Sequence, residues 1–137
     1  MNQVIYVSRK GSTKKVAEFI ARGAGITASA LSSGLKLDYT ETLFIGGALY
    51  AGKIDPSLRS FLEKLTPAEV GKVAVFSTAM GNKTPLNEIK AILEPKKIKV
   101  LEENFHCKGA FLLFNGDRPN EEDLKKAEDF GKKIVSQ

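Results

Sequence analysis

Short continuous apolar runs alternate along the chain with segments whose apolar residues recur every three or four positions. The runs are Val4-Ile5-Tyr6-Val7, Leu43-Phe44-Ile45, Val73-Ala74-Val75-Phe76 and Ala110-Phe111-Leu112-Leu113-Phe114. Their unbroken apolar character predicts parallel strands covered on both faces. Between them, Val16, Phe19 and Ile20, then Leu58, Phe61, Leu62 and Leu65, then Leu86, Ile89 and Leu93 show the spacing of a single buried helical stripe. Helix starts are marked by Asp55-Pro56 and Thr84-Pro85, a capping side chain followed by proline at the first helical position. The last helix is predicted from Asn120, with Glu121, Glu122 and Asp123 in its first turn and Lys132 and Lys133 near its end, matching the helix dipole. Pro95 stops the helix before it.

An alternating topology needs one more strand between the first helix and Leu43, and Ile26 to Leu31 is the segment available for it. Only Ser32 to Thr42 then remains to return the chain, too few residues for an ordinary crossover helix, so that connection is predicted to be abbreviated. The expectation is an α/β, doubly wound, five-stranded parallel sheet with helices on both faces. It forms one domain over residues 1–137, the size expected of a single unit. In such a sheet, ligands bind beyond the carboxyl ends of the strands, where strand order reverses.

Composition narrows the chemistry. Cys107 and His106 are the sole cysteine and histidine, so no internal disulfide and no zinc site of Cys and His ligands is expected. The cysteine usage favours a reducing cytoplasm, and neither an export signal nor a stretch long enough to span a membrane is visible. The net charge is +5. All of it resides in residues 1–37, where Arg9, Lys10, Lys14, Lys15, Arg22 and Lys36 oppose Glu18 alone. Tyr6 and Phe19 are the only aromatics in that segment, and both fall at core positions, which argues against a nucleic-acid surface and for a small anion near the first strand.

Three loops at one sheet edge carry candidate chemistry. Ser8, Arg9, Lys10, Gly11, Ser12 and Thr13 lead from the first strand into a helix, supplying hydroxyls, a glycine and helix-start amides for a phosphate. After the third strand, Gly46-Gly47 and then Ala48, Leu49, Tyr50, Ala51, Gly52 and Lys53 form an unusually apolar loop in which Tyr50 is placed to stack on a flat ring. After the fourth, Ser77, Thr78, Ala79, Met80, Gly81 and Asn82 are small and polar.

These loops, in this order and on this topology, resemble the flavodoxin family across essentially the entire chain. The resemblance implies a flavodoxin-like sheet of strand order 2-1-3-4-5 that binds FMN. The Ser8 to Thr13 loop would hold the phosphate, and the Ala48 to Lys53 and Ser77 to Asn82 loops would enclose the ring. It implies an electron-transfer flavoprotein, cytoplasmic and monomeric, with no catalytic side chain of its own, serving a redox partner protein through an acidic patch on that partner. Two positions depart from the family: Lys10 stands where threonine is usual and Ser12 where asparagine is frequent. The family is also typically acidic, whereas this chain is basic. The stretch Leu43 to Lys53 with Phe61 is also similar to flavodoxin-like protoporphyrinogen dehydrogenases, which pass electrons from an anionic tetrapyrrole to a quinone. The insertion that group carries is missing between Ile98 and Phe114. A third alternative keeps the fold as an interaction module without flavin.

Other chemistries on similar sheets fail on named residues. Ser8-Arg9 and Gly46-Gly47 replace the acidic residues a receiver domain needs, and Cys107 is not followed by the arginine of a cysteine phosphatase. The nucleotide-loop spacing GxxxxGK with Ser or Thr is absent. Gly23 to Ala28 matches GxGxxA but follows a helix instead of a strand, so it is not read as a dinucleotide site. His106 and Cys107 are expected to be structural.

Overall fold

The computed structural model describes all residues except 10, 51, 80–82 and 110–115. Strands β1 (Asn2–Val7), β2 (Ala28–Ala30), β3 (Thr40–Ala48), β4 (Val70–Ala79), β5 (Lys99–Val100) and β6 (Phe105–Lys108) alternate with helices α1 (Ser12–Ala24), α2 (Pro56–Lys64), α3 (Leu86–Leu93) and α4 (Glu121–Val135). The strand order is β2-β1-β3-β4-β5, with β6 also pairing β4, and every pairing is parallel.

The expected order 2-1-3-4-5 is therefore present, with its last position filled by two short strands. β5 pairs with β4 at Val73↔Val100 and β6 at Phe76↔Phe105, so residues 99–108 run along one edge with a break between. The run Ala110 to Phe114, expected as that strand, lies outside the described residues. The second strand is where it was placed, though only three residues long. The chain returns through residues 31–39 without a helix, leaving a recess of ≈ 310 Å³ between that loop and α2.

Alternation along the strands divides the core in two. Ile5, Leu43, Ile45, Val73 and Val75 pack with Leu58, Leu62, Ile89 and Leu93 on one face. Val4, Tyr6, Phe44, Ala74 and Phe76 pack with Val16, Ile20, Leu124 and Phe130 on the other. On that second face α1 and α4 touch backbone to backbone. A Cβ on Gly23 would lie 1.9 Å from the Glu128 carbonyl oxygen, and one on Gly131 would lie 2.1 Å from that of Ile20. Gly23 thus has a packing role. Gly25, in left-handed conformation at φ +75°, ends α1 with Ile26 N–H donating to Ala21 O. The GxGxxA match is a helix end and a close approach.

Two of the three expected caps form; at α3 the N-cap is Pro85 itself, one residue later than Thr84-Pro85 predicted, with no side-chain cap bond. The Asp55 carboxylate accepts from Ser57 N–H at 2.8 Å with Pro56 at N1, and Asn120 and Asp123 form a reciprocal capping box. α1 is different. Its N-cap is Gly11, at φ +91°, and no side chain caps it.

Candidate functional site

The carboxyl ends of β1, β3 and β4 meet the amino end of α1 in a notch lined by Ser8, Arg9, Ser12, Thr13, Ala48, Leu49, Tyr50, Thr78, Ala79 and Gly109. Its floor has room for about one water, ≈ 20 Å³. Nine of its ten residues belong to the three loops singled out in the sequence.

On the first loop, Ser8 Oγ accepts from Gly11 N–H at 3.0 Å and sets the turn. The left-handed conformation of Gly11 brings the chain directly into α1, and a Cβ there would meet nothing within 4 Å. The first amides of a helix have no intrahelical acceptor, so they face the notch as donors with the positive end of the helix dipole behind them. Thr13 Oγ1 lies 2.7 Å from Thr78 Oγ1, and both residues are only 1% exposed. Two hydroxyls share one hydrogen between them, which leaves the second hydrogen of the pair for an external acceptor. Thr13 thereby joins α1 to β4 as well as lining the notch.

Arg9 does not point its charge at the notch alone. Its Nη2 and Nε donate to Asp55 Oδ2 at 2.8 and 3.2 Å, and its guanidinium lies 4.2 Å from the centroid of the Tyr50 ring. The Asp55 carboxyl is held below the usual carboxylate range, chiefly by the Ser57 hydroxyl and further by Arg9. Burial pushes the Tyr50 phenol up, opposed by Arg9 and reinforced by Asp55. One face of Tyr50 is therefore covered by a cation that is itself fixed by an anion.

The second loop is shorter than the sequence reading placed it. Gly46 and Gly47 belong to β3, where a Cβ on Gly46 would sit 2.2 Å from Phe76 O. Only from Leu49 does the chain turn: Leu49 N–H donates to Thr78 O at 3.1 Å, and Tyr50 and Lys53 exchange backbone bonds at 2.9 and 3.0 Å around Gly52 at φ +76°. The Leu49 side chain is buried in the core beside Ile54 and Leu58. The third segment is likewise strand as far as Ala79. Thr78 and Ala79 line the notch, but Ser77 does not. Its side chain points to the other face of the sheet, where its Oγ lies 2.8 Å from His106 Nδ1. Lys10, Ala51, Met80, Gly81 and Asn82 lie outside the described residues, while Gly52 and Lys53 belong to the turn that follows Tyr50 and are not among the lining residues.

Gly109 was missed by sequence reasoning. A Cβ at this position would lie 3.1 Å from both Ser12 Cβ and Thr78 Cβ, so glycine keeps that side of the notch open. Its signal is a glycine next to a strand, here directly after β6. Cys107, 7% exposed, has its thiol pushed up to about 12, first by burial and then by Asp123. That thiol is protonated and inert.

FMN fits the notch at its anionic end. The open glycine positions, uncapped helix amides and available hydroxyl hydrogens suit a phosphate, and the water-sized floor places any ring above it, against the loops. Among the described residues, no helix is long and apolar enough to cross a membrane.

Comparison with known proteins agrees with this fold. Residues 3–117 match the Flavodoxin domain family. The uncharacterized protein MJ0298 of Methanocaldococcus jannaschii is 35% identical over 104 residues, 66% of this chain and 66% of that protein, just under two thirds of its length. Among solved structures, a flavodoxin from the domain Archaea superposes with a TM-score of 0.78 at 19% identity, over 98% of this chain and 96% of that one. The rubredoxin:oxygen oxidoreductase of Desulfovibrio gigas gives a TM-score of 0.71 at 15% identity over 97% of this chain, but only 34% of that larger chain. The chain belongs to the flavodoxin family, whose members are flavoproteins of electron transfer, generally carrying FMN.

Proposed function

We propose that this protein binds FMN with the phosphate seated in the Ser8 to Thr13 loop and carries electrons between partner proteins. The observation that carries the reading is the uncapped amino end of α1. There a left-handed glycine, helix amides and the Thr13–Thr78 hydroxyl pair converge on one small notch. Bound flavin supplies reversible electron acceptance, and the protein positions and tunes it.

The side chains contribute binding and orientation. Ser8 fixes the turn, the hydroxyl pair donates one hydrogen, and Gly109 leaves the space. Tyr50, stiffened by Arg9 on one side, offers its ring as a wall. Asp55 is paired with Arg9, and His106 bonds Ser77 on the opposite face of the sheet. The reaction this site suits is electron transfer in which the flavin does the chemistry.

A phosphate carries about −1.5 to −2 charges and accepts several hydrogen bonds. FMN should accordingly bind at least about tenfold tighter than riboflavin, one lost charge-assisted contact being worth about 1.5 kcal/mol or more. Thr13→Val should narrow that gap by weakening FMN and sparing riboflavin. Fluorescence titration of both ligands against wild type and variant decides. Equal affinities for the two ligands would remove the phosphate from this loop.

A further inference from the structure

Four lysines stand on the segments that adjoin the notch, without a counter-charge among the described residues. Lys14 stands in the first turn of α1, which contains no acidic residue, although this is the end of a helix that favours negative charge. Lys53 closes the turn over residues 50–53, and Lys83 crosses the same turn, its Nζ 3.0 Å from where a Cβ on Gly52 would be. Lys108 ends β6 beside Gly109. Among the described residues, none of these four ammonium groups is ion-paired. Three of the carboxylates near this end are paired: Asp55 with Arg9, Asp123 with Arg118 and Glu88 with Arg59. The concentration of unpaired like charge about one cleft raises the energy of the isolated chain and is relieved when an anionic surface arrives.

We propose that this lysine rim is the docking surface for an acidic redox protein. The inference rests on reading the notch as the flavin site, since a rim around that site brings a bound partner within electron-transfer range. A basic partner would place like charges against each other and be rejected, so the rim selects partners by sign as well as speeding their arrival. Single-stranded nucleic acid fits less well, because base binding needs exposed aromatic platforms. Tyr50 is the aromatic at the rim, and Arg9 covers one of its faces.

The test measures association of the full chain with a small acidic iron–sulfur protein, a small basic haem protein and a short DNA strand. Measurements at about 20 and about 200 mM salt take the screening length from roughly 20 Å to under 10 Å. The acidic protein should associate fastest, and its rate should fall at least about tenfold across that range. The double variant Lys83→Glu/Lys108→Glu, compared with wild type at saturating FMN, should slow that association about tenfold or more. Backbone amide shifts on adding the acidic protein should centre on residues 52–53, 83–84 and 108. Preference for the basic protein or the DNA, indifference to the double variant, or shifts on the outer faces of α1 and α4 would overturn the proposal. An FMN titration run in parallel separates the two readings. Docking at this rim by a chain that takes up no FMN would refute the flavin site alone, and FMN uptake without acidic docking would refute the rim alone.

Discussion

Tyr50 shows how much of a site is decided one residue away from it. A tyrosine in an apolar loop is expected to stack on whatever ring enters, but an exposed aromatic also has rotamers to lose on binding. Here Arg9 lies on one face and is anchored by Asp55, which is itself the cap of α2. The ring is held before any ligand arrives, which reduces the ordering a ligand must impose. An offset aromatic stack is worth about 0.5 to 1.5 kcal/mol beyond area burial. Tyr50→Ala should therefore weaken FMN binding by about 2- to 13-fold, since 1.4 kcal/mol is tenfold, and should relieve quenching of flavin fluorescence. A variant that quenches as wild type does would make Tyr50 a packing residue.

At the scale of elements, what was legible in the sequence was what short-range physics determines. The helices announced themselves by stripe and cap, Asp55-Pro56 and Asn120 most clearly, because capping depends on residues two or three positions apart. The ends of the strands were not legible. Gly46-Gly47 and Ser77-Thr78 read as loop, yet they continue β3 and β4 because parallel neighbours supply the hydrogen bonds that glycine and serine do not promise. The short strands over residues 99–100 and 105–108 were not legible either, because their pairing with β4 is purely long-range. The α1–α4 contact was equally hidden, since nothing local says that Gly23 and Gly131 meet a carbonyl. It has a measurable consequence. A Cβ at Gly131 must push Ile20 O from 2.1 Å to van der Waals distance, and backbone cannot yield as a side-chain tip does. Gly131→Ala would gain helix propensity but should still destabilise the fold by about 1 to 3 kcal/mol, the usual range for overpacking. Urea denaturation gives the sign: a variant as stable as wild type or more so would mean that α4 slides away without loss.

For the whole molecule, charge is the property that sets this chain apart from the acidic habit of the family it belongs to. The net charge is +5, and among the described residues the lysines on the segments beside the notch have no ion pair, while Asp55 is paired with Arg9. Electrons added to a flavin raise its negative charge, so nearby cations favour the reduced form. A unit charge about 6 Å away at an effective dielectric near 20 contributes about 3 kcal/mol before screening. With about 59 mV per tenfold, or per about 1.4 kcal/mol, for one electron, the ceiling is roughly 130 mV per lysine. Lys53 and Lys83 are exposed, so water and salt reduce each contribution well below that ceiling. The flavin potential should be less negative than in acidic flavodoxins, and Lys53→Glu, which replaces a cation by an anion in the turn beside the notch, should lower it by tens of millivolts at low ionic strength. The shift should shrink as salt is added, because a change carried through solvent is screened whereas a change in packing is not. Spectroelectrochemical titration of wild type and variant at two salt concentrations reads both. Coincident potentials at low salt would show that Lys53 faces away from the flavin, and a shift that salt leaves untouched would show that the substitution acts by moving the 50–53 turn.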